Sequence, residues 1–402
     1  MRFTFPILTL CHGGAQRMLV ELTNGLTALG HQVVIVMPAG GDISYEVHST
    51  VHRTDHTVLS ESDFPVSDII VSNFYTTVPV SEAASRNGKG LHVRLSLCYE
   101  PLFLSENNVS FPSYNTTPRL IVLSEWQREI IALNHGITGS IVPVGISSSF
   151  RNRHIRHRLQ EPMNITAILR KVENGFSWHR EQDYLVRQLD IVKQKLPDVN
   201  INFISPPDEF YSSDSLQKMK ASGKYRFFTP QNDEELCYHY NGADIFVSSS
   251  IFDSGSLPGL EAMRCGAALA TVYSGGNMEY ARHEANCLLS YRYENRLAED
   301  IIRLAQDHAL RIRLASQGEA DSNGWTWRTV SGLWNGPLSI FCRASLSLIR
   351  PDPGWPYSGG MAASGRTASN NLSNCETAAN PRMTGVLLLL CDWRCKTHDI
   401  YT

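Results

Sequence analysis

Much of what commonly announces a function is missing from these 402 residues. There is no C-x-x-C pair, no Asp-x-Asp, no His-Glu-x-x-His and no glycine-rich loop ending in lysine. Neither a zinc framework nor a metal-dependent mechanism therefore has support, and no resident cofactor is called for. The nine cysteines are odd in number and scattered, which sets no disulfide framework and fits a reducing cytoplasm. Strong charge of one sign is lacking too. At a formal −3 the chain has no global attraction for nucleic acid, none is expected as a partner, and any polyanion must be met at a local site. No apolar run reaches the ~20 residues that span a bilayer, "GVLLLLC" at 385–391 included. The start, "MRFTFPILTLCHGG", has one basic residue, is broken by Pro6 and carries Leu10 where a lipoprotein-type cleavage site wants a small side chain. It reads as a buried strand rather than a signal.

What is present is length for two domains and a 42% hydrophobic content, the mark of a globular chain. Short apolar runs alternate with amphipathic ones, the pattern of parallel strands joined by crossover helices. "RFTFPILTL" and "VVIVM" (33–37) read as strands. Met18, Leu22, Leu26 and Leu29 form one face of a helix between them, with Gly30 as its C-cap. Strands follow at 67–73, 91–97, 119–124 and 139–144, with the helix "EWQREIIALN" before the last. A first domain thus spans 1–150. The stretch 151–163, with four arginines and two histidines between Arg151 and Arg158, reads as an exposed basic linker whose face either stays solvated or meets phosphate or lipid. A second series runs from 164 to 330: strands at 164–169, 199–205, 225–228, 244–249 and 267–273, and helices around 180–195, at 233–241, from Gly259 and from about 295 to 320. From 331 to 402 the periodicity stops, Ser, Gly, Pro and Asn dominate, and four cysteines crowd between 342 and 395. That tail reads as an irregular addition.

Ligands of open parallel sheets sit at the carboxyl ends of strands, so the loops leaving them are the candidate sites. In "CHGGAQR" (11–17), Gly13 and Gly14 stand between strand and helix, where backbone amides could face a diphosphate; a plain tight turn reads equally well. "LRKVENGFSWHR" offers Arg170 and Lys171 at a strand end. Cations there could neutralise a departing phosphate, or could simply be solvated. In "FDSGSLPGLEAMRCG" the small residues Ser254, Gly255 and Ser256, with Leu257, lie between the acids Asp253 and Glu261, and Pro258 suits the first turn of the helix that follows. Carboxylates accept from vicinal diols, so the two acids could grip different parts of a hydroxyl-rich ligand. Glu261 also fits the plainer role of complementing its helix dipole. "YSGGNMEYARHEANCLL" repeats the strand, glycine pair, helix arrangement at Gly275 and Gly276.

These stretches resemble a known family. "DEELCYHYNGADIFVSSSIFDSGSLPGLEAMRCGAALATVYSGGNMEYARHEANCLL" is similar to the donor-binding signature of the family 4 retaining glycosyltransferases. "HGGAQRMLVELTNGLTALGHQVVIVMP" is similar to their N-terminal signature, and "WQREIIALNHGITGSIVPVGISSSF" to the segment leading into their interdomain linker. The likeness covers roughly 1–330. It implies the GT-B fold, two facing Rossmann-like doubly wound α/β domains with a cleft between them. It also implies transfer of a sugar, with retention, from a nucleotide-diphosphate sugar held by the second domain to a hydroxyl acceptor held by the first. That acceptor would be a glycan or lipid-linked molecule in polysaccharide or glycan biosynthesis, with peripheral association at the inner face of the membrane left open.

Residue by residue, the resemblance puts Glu261 on the ribose, Asp253 near the sugar as the first acid of a Glu-x7-Glu motif, and the Ser254–Leu257 backbone on sugar and phosphate. Arg170 falls in the diphosphate clamp and Gly13 and Gly14 in the glycine loop. "LCYEP" (97–101) is loosely similar to a sugar-facing loop. The chain departs from the pattern in three places: Asp253 replaces a glutamate, Ser-Gly-Ser replaces Gly-Phe-Gly, and Asn174-Gly175 replaces Lys-Gly, leaving Lys171 and Arg180 as the cations that could substitute. A non-catalytic partner of the same fold and a nucleotide-sugar epimerase are the alternatives.

Overall fold

Strand–helix alternation resolves into two all-parallel sheets. The structure, a computed structural model, describes residues 1–104, 107–156, 162–173, 177–334 and 336–337; Asn174-Gly175, His157 and Arg158, and the tail from 338 onward lie outside the described residues. All the described residues belong to one unit, Met1–Ile349.

The first sheet comprises β1 (Arg2–Pro6), β2 (Gln32–Met37), β3 (Thr50–Arg53), β4 (Ile69–Ser72), β5 (Leu91–Leu95), β6 (Leu120–Val122) and β7 (Ser140–Ile141), in the order β3-β2-β1-β4-β5-β6-β7. The second comprises β8 (Asn164–Ile168), β9 (Asn200–Ile204), β10 (Arg226–Phe228), β11 (Ile245–Ser248), β12 (Ala268–Val272) and β13 (Leu288–Ser290), in the order β10-β9-β8-β11-β12-β13. The helices of the first lobe are α1 (Gly14–Ala28), α2 (Thr77–Arg86), α3 (Asn107–Ser113) and α4 (Glu125–His135). Those that follow are α5 (Gln182–Lys195), α6 (Pro207–Tyr211), α7 (Asp214–Ala221), α8 (Asp233–Gly242), α9 (Leu257–Arg264), α10 (Leu297–Gln306), α11 (His308–Ser322) and α12 (Trp327–Leu333). Strand order reverses between β1 and β4 in one sheet and between β8 and β11 in the other, and such switch points open crevices for ligands.

Central strands are largely apolar because helices cover both faces of a parallel sheet; every residue of β4 and of β12 is buried, and β5 buries His92 and Arg94 among its apolar residues. Helix α1 buries Met18, Leu22 and Leu26 as the spacing predicts. Leu29 does not join them: the helix ends at Ala28, Leu29 is exposed, and Gly30 adopts a left-handed φ of 85°. The segment after β12 also departs from expectation. Only a single tight turn, Gly276–Glu279, follows the glycine pair, and the next apolar run, Leu288–Ser290, is the edge strand β13.

The two lobes share core. Val144, Ile146 and Phe150 pack in one cluster with Tyr240, Leu260, Trp327 and Trp334. The boundary drawn at 330 falls inside α12, which packs on α1: a Cβ at Gly25 would lie 2.1 Å from Ser331 Oγ. The basic linker is more than a solvated face. Arg153 pairs with Glu234. The Arg156 guanidinium donates to the carbonyls of Tyr240 (3.1 Å), Ala243 (2.6 Å) and Cys265 (2.7 Å), where α8 and α9 both end and a cation is favoured. Arg156→Met should therefore lower the unfolding free energy in urea by about 2 kcal/mol, since hydrogen bonds to a charged donor are lost from buried carbonyls.

Candidate functional site

Both switch points open on one cleft of about 860 Å3, a size suited to a small organic ligand. The first lobe contributes Gly13, Gly14 and Arg17 from the β1–α1 loop and Leu97, Cys98, Glu100 and Phe103 from the loop after β5. The second lobe contributes Arg170 and Arg180 and the segment from Asp253 to Glu261. Gly13, Gly14, Arg170, Asp253, Ser254, Gly255, Ser256, Leu257 and Glu261 all line this space, whereas Gly275, Gly276 and Lys171 do not. Lys171 turns away, its Nζ donating to Ser212 O at 3.0 Å and Ser212 Oγ at 3.2 Å.

At the glycine pair, the Gly13 amide donates to the Tyr45 hydroxyl at 3.0 Å, whereas a Cβ built on Gly14 would meet nothing within 4 Å. The open position is Gly14. Arg17 bridges the lobes, binding Asp233 of α8 at 2.5 Å and Glu21 of its own helix at 2.8 Å.

The loop after β11 is drawn tight by Asp253. Its Oδ1 accepts from the amides of Gly255 (3.2 Å) and Ser256 (2.8 Å), so two amides expected to face a ligand are turned onto the acid itself. The same carboxylate, one methylene shorter than glutamate, caps its own loop because aspartate reaches the amides two and three residues on. Ser256 Oγ meets Ser274 Oγ at 2.7 Å, and the Tyr280 hydroxyl donates to Ser256 O at 2.7 Å. Ser254 is buried, and among the described residues its hydroxyl has no partner. Gly275, at φ 90°, allows the neighbouring turn to press on the first lobe: a Cβ there would lie 2.4 Å from the Trp126 ring.

Glu261 stands just past the first turn of α9, which holds no acid and so gives it less of the helix-dipole role its sequence position offered, and the Tyr240 hydroxyl donates to it at 3.3 Å. Burial, and then the charge of Asp233, raise its carboxyl to about 7, against the opposing pull of Arg17. Beneath it Cys237 and Cys265 place their sulfurs 3.9 Å apart. Arg170 is held by Glu209 of α6: its Nε donates at 2.7 Å, a second nitrogen closes the fork, and Glu209 also takes the Lys171 amide at 3.0 Å. Burial would raise the Glu209 carboxyl, but the hydrogen bonds and charge of Arg170 hold it below its usual range. Glu209 and Tyr45 escaped the sequence reading because each comes from an element with no motif of its own; Asp233 and Glu100 lie within the stretches "DEELCYHYN" and "LCYEP" but nothing local singled them out.

Among the described residues no three His, Cys, Asp or Glu side chains are grouped as a metal site requires, and no helix is long and apolar enough to cross a membrane.

The family model for glycosyl transferases group 1 matches residues 174–321. A D-inositol 3-phosphate glycosyltransferase of Salinispora arenicola is 32% identical over 110 residues, 27% of this chain and 25% of that protein; the match thus spans a quarter of the relative's length. Among solved structures, a sucrose-phosphate synthase from Thermosynechococcus elongatus aligns over 86% of this chain and 99% of its own, with TM-score 0.68 and 16% identity. Anabaena HepE in complex with UDP aligns over 85% and 100%, with TM-score 0.68 and 17% identity. At such identities the structural likeness is one of fold. Residues 174–321 are thus similar to the glycosyl transferases group 1 family, and the two parallel-sheet lobes have the GT-B fold.

Proposed function

We propose that the chain transfers a glycosyl group, with retention, from a nucleotide-diphosphate sugar to a hydroxyl of a glycan or lipid-linked acceptor. The observation that carries this reading is the convergence, on one cleft, of the loops at both switch points, with Asp253 in the β11–α9 loop, Glu261 on α9 and Arg17, Arg170 and Arg180 in the same lining. The Salinispora relative is a glycosyltransferase by name, and HepE has been solved with UDP-glucose.

In this reading Glu261 accepts from the ribose diol, Asp253 shapes the loop beside the sugar, and the unpartnered Ser254 hydroxyl gains a partner in the ligand. The bond from the anomeric carbon to the phosphate oxygen breaks, and the nucleoside diphosphate leaves with the electron pair. The acceptor oxygen bonds the same face and its proton passes to the departing phosphate. The charge that develops is met by fixed side-chain cations in a partly dry cleft, so the reading calls on no resident metal or cofactor.

A panel of nucleotide sugars tested by thermal shift should contain one that raises the melting temperature through preferential binding to the folded state. Glu261→Ala should weaken that donor by about tenfold at pH 8, the loss of hydrogen bonds to a charged acceptor. Unchanged donor affinity would sink the ribose role. Donor binding without turnover against any acceptor would favour a non-catalytic partner, and sugar conversion in donor alone an epimerase.

A further inference from the structure

We infer that Cys237 and Cys265 are a peroxide-oxidisable pair, and that the disulfide between them weakens binding in the cleft by drawing Glu261 out of place. The bond stands on the two thiols alone; its effect on binding rests on the donor reading above.

Sequence spacing hides the pair, since 28 positions separate the two residues. Cys237 lies on α8 and Cys265 directly follows α9. These helices meet, which brings the sulfurs to 3.9 Å. A disulfide needs them roughly 2 Å closer.

The two sulfurs differ. Asn241 Nδ2 donates to Cys237 Sγ at 3.4 Å, and the hydrogen bond from Cys265 lowers the Cys237 thiol to about 6 against the cost of burial. That same bond, and then burial, raise Cys265. Near neutral pH one member is thus a thiolate, the form that attacks, while the other keeps its proton. Both residues are wholly buried, which slows the attack and selects a small uncharged oxidant. Hydrogen peroxide qualifies and glutathione disulfide does not.

The Cys237 thiolate attacks one peroxide oxygen: an S–O bond forms, the O–O bond breaks, and hydroxide leaves and takes up a proton. The Cys265 sulfur then attacks the sulfenic sulfur, forming S–S and breaking S–O, and the departing hydroxide carries off the Cys265 proton as water. Two thiols lose two electrons, and one peroxide becomes two waters.

The pair is coupled to the cleft. Cys237 stands one turn before Tyr240, whose hydroxyl donates to Glu261, and the Cys265 amide donates to Glu261 O at 3.0 Å. Leu236, Tyr240 and Glu261 all line the cleft. In a close-packed interior a shift of this size is not absorbed at the sulfurs alone, so it reaches the contact between Tyr240 and Glu261.

The test treats the full chain with hydrogen peroxide near neutral pH, blocks free thiols with iodoacetamide in denaturant, and maps the peptides before and after dithiothreitol. A reversible bond between Cys237 and Cys265 is expected. Cys265→Ser should instead accumulate Cys237 sulfenic acid, trapped by dimedone, and Cys237→Ser should leave Cys265 unoxidised. Calorimetry with UDP, GDP and ADP should show that the nucleotide bound by the reduced protein binds about tenfold more weakly after oxidation, the loss of one hydrogen-bonded contact. Dithiothreitol should restore it, and Cys265→Ser should not show the loss. Peroxide that leaves both thiols free, or joins either to another cysteine, overturns the pair. A Cys237–Cys265 bond with unchanged nucleotide affinity overturns its effect on the cleft and leaves the donor reading standing. Absence of nucleotide binding by the reduced protein overturns the donor reading and the effect with it, while the peptide map still decides the pair. Should Cys265→Ser fail to fold, Cys265→Ala is read in its place by the same criteria.

Discussion

Arg94→Met should cost about 3–5 kcal/mol in urea unfolding, the penalty for breaking a buried ion pair from one side. Arg94 and Glu100 are both almost wholly buried. A single guanidinium nitrogen of Arg94 meets both Glu100 oxygens at 3.1 Å, another donates to Ser113 Oγ at 2.7 Å, and the group lies 3.5 Å from the centre of the Tyr114 ring. The Tyr114 hydroxyl donates to Glu100, and burial together with that carboxylate pushes the phenol well above its ordinary range. Without Arg94, Glu100 would be a buried charge with only Tyr114 beside it.

The double variant Arg94→Met/Glu100→Gln should recover much of the loss, because removing both charges removes the desolvation cost with the attraction. A double variant no more stable than the single would show that the pair is not the unit. The network also reaches the cleft. The Tyr114 hydroxyl lies 2.8 Å from Cys98 O, and the Ser96 hydroxyl donates to the same carbonyl at 2.8 Å, fastening the lining loop after β5.

How much of this could be read in advance depends on whether a feature is local. The β1–α1–β2 unit was legible because Met18, Leu22 and Leu26 keep helical spacing between two apolar runs. Strand β3, "TVHR", is an edge strand with its side chains mostly exposed, so it carries no apolar run to notice. Helix α2 contains Pro79 and threonine and serine, which mask its period. In the candidate site, Asp253, Glu261 and the glycine pair were legible because each sits beside its own strand and helix. The bond between Arg170 and Glu209 was not, since 39 positions separate them and only the adjacency of β8 and β9 brings α6 to the end of β8. Nor was the role of Arg156, whose three acceptors belong to carbonyls that every residue possesses.

Glu261→Gln should stabilise the protein at pH 8 by an amount on the order of 3 kcal/mol, and leave it unchanged near pH 4. The sign follows from which state holds the proton. In the folded chain the carboxyl keeps its proton to about pH 7, whereas the ordinary value is 4.5. Between those values the folded state binds more protons than the unfolded one, so stability falls as pH rises from about 4.5 to 7 and stays lower above it. Glutamine carries no such penalty. Urea unfolding of both proteins at pH 4, 6 and 8 reads the difference directly, and parallel profiles would refute a raised Glu261. Ligand affinity should move the other way. A carboxylate that accepts from two vicinal hydroxyls does so best when ionised, so nucleotide binding by wild type should strengthen as pH passes through 7, while the glutamine variant binds weakly at every pH. A group that destabilises the empty fold and is relieved by its ligand is the expected signature of a binding residue rather than of a helix-dipole partner, which would stabilise the fold with or without the ligand.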